Sequence, residues 1–181
     1  MADTDYALPR PQFDVAPKLL LVVAPFYRDI ADMLVNGARA EIAAAGATHE
    51  IVEVPGALEI PPAIAMADRM ADYDGHVALG CVIRGETSHY ETVCNDSSRG
   101  LMLLGLQGTL IGNGILTVET RDQAVTRADP GAMNKGAGAA AAALHLLALS
   151  RKWGGQRGGI GFLPDPESLI RPSDDEGAPR A

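Results

Sequence analysis

Aromatic side chains are scarce in this chain: three Phe, four Tyr and one Trp make up 4% of its 181 residues. A core of stacked rings is therefore excluded, and the interior must be aliphatic, built from Ala, Val, Leu and Ile. Cysteine is scarcer still. Cys81 and Cys94 are the only two. Both sit in apolar stretches and neither belongs to a CxxC pair, so no disulfide and no metal site is expected, and both read as buried thiols of a reducing cytoplasm. An excess of positive charge is absent as well. Fifteen Lys and Arg stand against 23 Asp and Glu, for a formal charge of −8. That excludes a nucleic-acid partner, whose phosphate backbone needs a basic face. It leaves room for a small phosphorylated ligand, which needs only a few well-placed cations. No apolar run approaches the roughly 18 residues that span a bilayer, so no membrane association is expected. Residues 1–17 lack an apolar signal core, so no export signal is expected either, and the location implied is cytoplasmic.

What is present is ordinary for one globular domain: 47% apolar and 21% charged residues. Lys18 to Ala24 is a continuous apolar run stopped by Pro25, the pattern of a strand buried on both faces. Ile30, Met33, Leu34, Ala38, Ile42 and Ala45 follow at helical spacing, with Gly46 as the stop. Alternation continues along the chain. Strands are predicted over 49–54, 75–83 and 109–118, and helices over 58–70, 88–107, 120–126 and 134–153, with Pro61 and Pro62 tolerable only in a first turn. Strand–helix alternation repeated four times implies an α/β three-layer sandwich: a four-stranded parallel sheet with helices on both faces, flavodoxin-like. The expected organisation is an irregular N-terminal arm over 1–17, one domain over 18–153, and a flexible tail over 154–181 rich in Gly, Pro and acidic residues, with Ile160 to Leu163 as a docking segment. No internal repeat is found.

In such sheets ligands bind at the carboxyl ends of the strands. The unusual residues of this chain lie there: Pro25-Phe26-Tyr27-Arg28, Pro55-Gly56-Ala57-Leu58-Glu59 and Arg84-Gly85-Glu86-Thr87-Ser88-His89. The third stretch joins a strand to a helix start. Ser88 and Glu91 have capping-box spacing, and the free N–H groups and dipole of a helix N-terminus suit a phosphate. Gly85 permits close backbone approach, and Thr87 offers a hydroxyl. His89 falls in the first turn, where the dipole disfavours a positive charge and leaves the imidazole able to accept a proton; an ordinary surface histidine fits the same pattern. Phe26 fits either a core plug or a ring stacked on a planar heterocycle, and composition alone favours the plug. Glu59 fits either a polyol contact or simple dipole compensation. Arg127 and Lys135 flank a short loop and could pair with a phosphate. Gly136-Ala-Gly138-Ala-Ala-Ala141 matches a loose dinucleotide fingerprint, but no strand precedes it; small residues there are better read as room for close helix packing. His49, His76 and His145 are assigned no ligand role.

Four segments in this order and spacing carry a resemblance: Val54 to Pro61, Gly80 to Tyr90, Gly114 to Glu119, and Asn134-Lys-Gly136. Together they closely resemble the lumazine synthase family over roughly residues 18–150. The resemblance implies a transferase of riboflavin biosynthesis that condenses 5-amino-6-(D-ribitylamino)uracil with 3,4-dihydroxy-2-butanone 4-phosphate to 6,7-dimethyl-8-ribityllumazine, with neither cofactor nor metal. By that resemblance Phe26 stacks on the pyrimidine. Ala57, Leu58 and Glu59 hold the ribityl chain, and Cys81, Val82 and Ile83 contact the ring. Glu86, Thr87 and Arg127 bind phosphate, Lys135 lies near the substrates, and His89 transfers protons. Asn113 departs from the pattern, which often has an aromatic residue at this place, so ring stacking would rest on Phe26 and a hydrogen bond would replace the second ring. The family's partners are its two small-molecule substrates, further copies of the chain in a pentamer with shared sites or in a shell of sixty, and riboflavin synthase as a candidate. The absence of an insertion between Arg127 and Lys135 leans towards the shell. A non-catalytic lumazine or flavin binder, a scaffold, and an archaeal-type riboflavin synthase are the rival readings; the intact Arg84–His89 block and Arg127 weigh against the first, the phosphate-site residues weigh against the third, and only turnover separates scaffold from enzyme.

Overall fold

The computed structural model describes residues 8–157. Its order is β1 (Lys18–Val23), α1 (Arg28–Ala44), β2 (Thr48–Glu53), a single 3-10 turn (Ala57–Glu59), α2 (Ile60–Met70), β3 (Gly75–Ile83), α3 (His89–Leu106), β4 (Ile111–Val118), α4 (Arg121–Ala128) and α5 (Lys135–Arg157). The four strands form one sheet in the order β2-β1-β3-β4, and every pairing is parallel. This is the expected flavodoxin-like three-layer architecture.

The two faces of β1 explain the layers. Side chains alternate across a strand. Leu19, Leu21 and Val23 enter a core shared with Ile30, Leu34 and Ile42 of α1, Ala124 and Ala128 of α4, and Ala140 and Leu144 of α5. Leu20, Val22 and Ala24 enter a second core with Ile60 and Ile64 of α2 and Leu101 of α3. Leu19, Leu21 and Val22 are wholly inaccessible. A strand buried on both faces needs an unbroken apolar run, and that is what the sequence carries.

Local signals account for most boundaries. Gly46 adopts φ 69° and ends α1, with its N–H on the Ala43 carbonyl. Pro61 and Pro62 occupy the first positions of α2, where a missing N–H loses nothing. Asn134 is the one non-glycine residue with positive φ, 47°, among the described residues. Its Oδ1 accepts the Ala137 N–H at 3.3 Å, which caps the start of α5. Three expectations need correction. The strand predicted from Thr109 starts at Ile111, because the Thr109 N–H donates to the Leu104 carbonyl at the end of α3 and its hydroxyl bonds to Asp68. The helix predicted to stop at Trp153 runs to Arg157. The capping box at the start of α3 does not form: Ser88 is itself αR and makes no side-chain cap, and the Glu91 carboxylate goes to Arg84 instead. Residues 8–17 of the arm are irregular but fastened. Arg10 grips Glu41 with two bonds of 2.8 Å, and Phe13 packs against the first core. Most of the expected tail, including Ile160 to Leu163, lies outside the described residues.

The glycine- and alanine-rich start of α5 is a packing surface. A Cβ on Gly136 would lie 2.0 Å from the Leu34 carbonyl oxygen of α1, and one on Gly112 of β4 would lie 1.8 Å from the Ala139 carbonyl oxygen of α5. Gly138, two residues along, meets nothing within 4 Å. The two glycines should therefore respond oppositely to alanine. Gly136→Ala is expected to destabilise by about 1–3 kcal/mol through backbone displacement, and Gly138→Ala to be neutral or stabilising by about 0.5–1 kcal/mol. Urea unfolding at one fixed protein concentration measures both. Equal effects would mean that α5 is free to shift.

His76 is 1% exposed, and neither ring nitrogen has a hydrogen-bond partner among the described residues. Burial holds its pKa below the ordinary 6.5, against a smaller opposing pull from Asp68. Half-buried His49 shifts the same way, through burial and the nearby Arg39. As pH falls through 6.5 the unfolded chain takes up these protons before the folded one does. Stability should thus be complete above that value and decline as pH drops towards the lower folded values. Chemical denaturation between about pH 7 and about pH 5 should show this slope, and His76→Phe should flatten it. An unchanged slope in the variant would assign the pH dependence to other groups.

Candidate active site

Chain order and strand order diverge between β1 and β3: β2 lies to one side of β1, and β3 with β4 to the other. The connections leave this point in opposite directions, so a crevice opens above the carboxyl ends of the strands. A cleft of about 530 Å³ lies there. Its walls are Ala24, Phe26 and Tyr27 after β1, Pro55 to Glu59 after β2, Cys81 to Ile83 with Gly85 and Thr87 at the end of β3, and His89, Tyr90 and Val93 in α3.

Nine of the thirteen residues singled out in the sequence line this cleft: Phe26, Ala57, Leu58, Glu59, Cys81, Val82, Ile83, Thr87 and His89. Phe26 is 74% exposed, which overturns the core-plug reading. Its ring and that of Tyr27 meet in a T-shaped contact, with centroids 5.0 Å apart and planes at 75°, and its exposure leaves ring surface open beside the cleft. Ala57 is buried in the 3-10 turn, while Glu59 is exposed at the entry to α2 and caps nothing with its side chain. The backbone at Gly85 has nothing within 4 Å of its Cβ position, so a ligand could approach it closely. His89 is the first residue of α3 and is exposed on the cleft wall.

Four expected residues do not line the cleft. Glu86 is exposed in the loop before α3. Asn113 faces outward on the edge strand β4, and its Oδ1 accepts the Ile115 N–H at 2.9 Å. Arg127 lies in the last turn of α4 and donates to the Gln123 carbonyl. Lys135 opens α5. Conversely, Tyr90 and Val93 belong to the wall and were not singled out. Val93 is four residues from His89, so helical spacing from His89 would have found it; Tyr90 is the neighbour of His89 in the chain, and that spacing does not point to it.

The rim is rich in ion pairs. Arg28 binds Glu53 at 2.5 Å, Arg121 binds Asp29 at 2.5 Å, and Arg84 binds Glu119 at 2.6 Å and also Glu91. These pairs tie the ends of neighbouring strands and the first turns of α1, α3 and α4 to one another.

The family model for 6,7-dimethyl-8-ribityllumazine synthase matches residues 16–151. The chain belongs to the lumazine synthase family. A 6,7-dimethyl-8-ribityllumazine synthase of Jannaschia sp. is 55% identical over 163 residues, covering 90% of each chain. One of Novosphingobium aromaticivorans is 57% identical over 136 residues, covering 75% of this chain and 98% of the relative. One of Methylorubrum populi is 58% identical over 140 residues, covering 74% and 83%.

The cleft contains a thiol whose ionisation is suppressed. Cys81 is buried, and burial pushes its pKa up to about 11. Cys94, expected to be buried, is only half-buried on α3. Among the described residues no cluster of three or more His, Cys, Asp or Glu is placed to hold a metal ion, and no helix is long and apolar enough to cross a membrane. Cys81 should therefore resist a thiolate-selective alkylating agent in the native protein at neutral pH and react only as pH nears about 11 or on unfolding. Mass spectrometry of the alkylated peptides measures this. Rapid labelling near neutrality would mean an open, ionised thiol at the cleft floor.

Proposed function

We propose that this chain condenses 5-amino-6-(D-ribitylamino)uracil with 3,4-dihydroxy-2-butanone 4-phosphate to give 6,7-dimethyl-8-ribityllumazine, as a transferase of riboflavin biosynthesis. One observation carries the assignment to this cleft: an exposed ring, the strand-end backbone, a helix start and a histidine converge at the point where strand order reverses. The exposed ring of Phe26 takes the pyrimidine. The polar edge of that ring meets the backbone of Cys81 to Ile83, and the ribityl chain lies along Ala57, Leu58 and Glu59. Thr87, with Glu86 beside it, and the first N–H groups of α3 receive the phosphate.

The chemistry fits such a wall. The uracil amine attacks the ketone and loses water to form an imine. Phosphate is then eliminated, and the ring closes with further loss of water. The reactive groups come with the substrates, so the protein needs geometry and proton transfer rather than a strong nucleophile. Fixing two reactants side by side accounts for most of the acceleration, and His89 adds a smaller acid–base factor, typically ~10²–10⁴.

The unit that performs this is residues 18–153, flanked by the arm and the tail, and its place is the cytoplasm. Further copies complete the site. Asn113, Arg127 and Lys135 stand away from the cleft of their own chain, which fits a site shared between neighbours in a homopentamer. A broad apolar strip supports such packing: Met66 and Met70 of α2, and Met102, Leu103 and Leu106 of α3, are 52–82% exposed. A sixty-chain shell is the further assembly that fits the short connection from Arg127 to Lys135, with riboflavin synthase as the partner that consumes the product.

Absorbance of lumazine formed above the spontaneous background tests the reaction. His89→Ala should slow turnover well beyond tenfold in a folded protein. Arg127→Ala should raise the KM for the butanone phosphate most strongly. Background rates from the assembled wild-type protein would overturn the assignment. An Arg127→Ala effect confined to the uracil substrate would move the phosphate elsewhere.

A further inference from the structure

Arg84 stands at the rim, and the proposed reaction has no use for it. It follows β3 directly, and its N–H donates to the Val118 carbonyl at 2.9 Å, adding one rung to the β3–β4 ladder. Its Nε donates to Glu119 Oε2 at 2.6 Å, just past the end of β4. Its Nη1 donates to Glu91 Oε1. Its guanidinium carbon lies 4.1 Å from the centroid of the Tyr90 ring. One planar cation thus holds the end of β4 and the two residues that follow His89 in the first turn of α3.

Two further observations separate this from a ligand contact. Arg84 does not line the cleft, although Ile83 and Gly85 on either side of it do. Its charge is met by two carboxylates, which hold the guanidinium ionised beyond its ordinary range and draw Glu91 below the usual carboxylate value. It therefore has little charge to offer a phosphate. The first turn of α3 also lacks the usual fastening, since Ser88 makes no side-chain cap. The Arg84 clasp stands where the cap is missing.

We propose that Arg84 is a positioning residue: by gripping Glu91 and Tyr90 against Glu119, it sets the first turn of α3 and so the place of His89 beside the substrates. This inference rests on His89 being the proton-transfer residue, and the test separates the two. Misplacing a reacting group by about 1 Å costs on the order of 100-fold in rate. Arg84→Gln should lower kcat by about 10–100-fold with little change in either KM, in an assembled enzyme whose circular dichroism and sedimentation match the wild type. Arg84→Lys should remain impaired, because an ammonium cannot reach both carboxylates in a fixed plane. On a His89→Ala background, Arg84→Gln should add almost nothing.

A full additive loss in the double variant, a loss confined to the KM of the butanone phosphate, or an unchanged kcat would each overturn the proposal. If Arg84→Gln does not fold, Glu119→Gln releases one side of the same clasp; it should show the same kcat-only loss and the same non-additivity with His89→Ala, and additivity there overturns the proposal equally. His89→Ala alone tests the underlying assignment. If that single variant turns over normally, the role of His89 fails and the positioning role falls with it.

Discussion

Burial of β1 on both faces is the constraint from which the rest of the molecule follows. Leu19, Leu21 and Val23 must be covered by α1, α4 and α5, and Leu20, Val22 and Ala24 by α2 and α3. A strand in that position must be central, so β2 and β3 are forced to its two sides. The chain then leaves β1 in one direction and β3 in the other, and the ends of both strands are left uncovered by any crossover. The cleft is the space that this divergence opens. Its position is a property of the topology, and its chemistry is a property of the few residues that end each strand.

The shortage of aromatic residues has a structural counterpart in the first core. Where α5 meets α1 and β4, that layer is closed by contact between backbones rather than by large side chains. Ala139, Ala140 and Ala143 of α5 are nearly or wholly inaccessible, and Gly136 and Gly112 leave no room for a Cβ. Helix α5 consequently lies almost on β4 and α1. A helix set this close depends on where it starts, and Asn134 fixes that start by adopting a left-handed conformation and capping with its own side chain. The segment Asn134-Lys-Gly136 is therefore intelligible as packing geometry, independently of any substrate that Lys135 meets.

The legible parts of the sequence were those with local causes. The apolar run at Lys18 to Ala24, the stop at Gly46, the two prolines of α2 and the span of β3 all emerged where periodicity and turn chemistry put them. Misreadings arose where a distant partner outbid a local rule. Ser88 and Glu91 have capping-box spacing, but Arg84 offers Glu91 a charged donor, and a neutral cap cannot compete. Thr109 has strand propensity, but Asp68 and the end of α3 claim its polar groups. In the candidate site, residues that follow strand ends come together along one cleft because strand ends are local. Phe26 was ambiguous because burial is not a local property: one ring in an aliphatic chain reads as core until its exposure is known. Arg127 and Lys135 were legible only as two cations flanking a short loop, and Asn113 entered through the family resemblance alone, because nothing local on α4, α5 or β4 marks them as standing away from their own cleft.

The charge distribution carries the argument for a shared site one step further. Of the cations around the cleft, Arg28, Arg84 and Arg121 are each taken up by carboxylates of their own chain. The chain as a whole is acidic. A doubly charged phosphate entering this rim finds the N–H groups at the start of α3 and no free guanidinium among the cleft-lining residues. Dipole and backbone donors alone give a weak anion site, while a bidentate guanidinium adds both strength and orientation. Arg127 and Lys135, by contrast, are in no ion pair among the described residues. These two cations lie away from the cleft, and no Lys or Arg is among the residues that line it. Under the proposed reaction, that mismatch would be resolved if one copy brought its Arg127 to the cleft of the next, and assembly would then be a condition of phosphate binding.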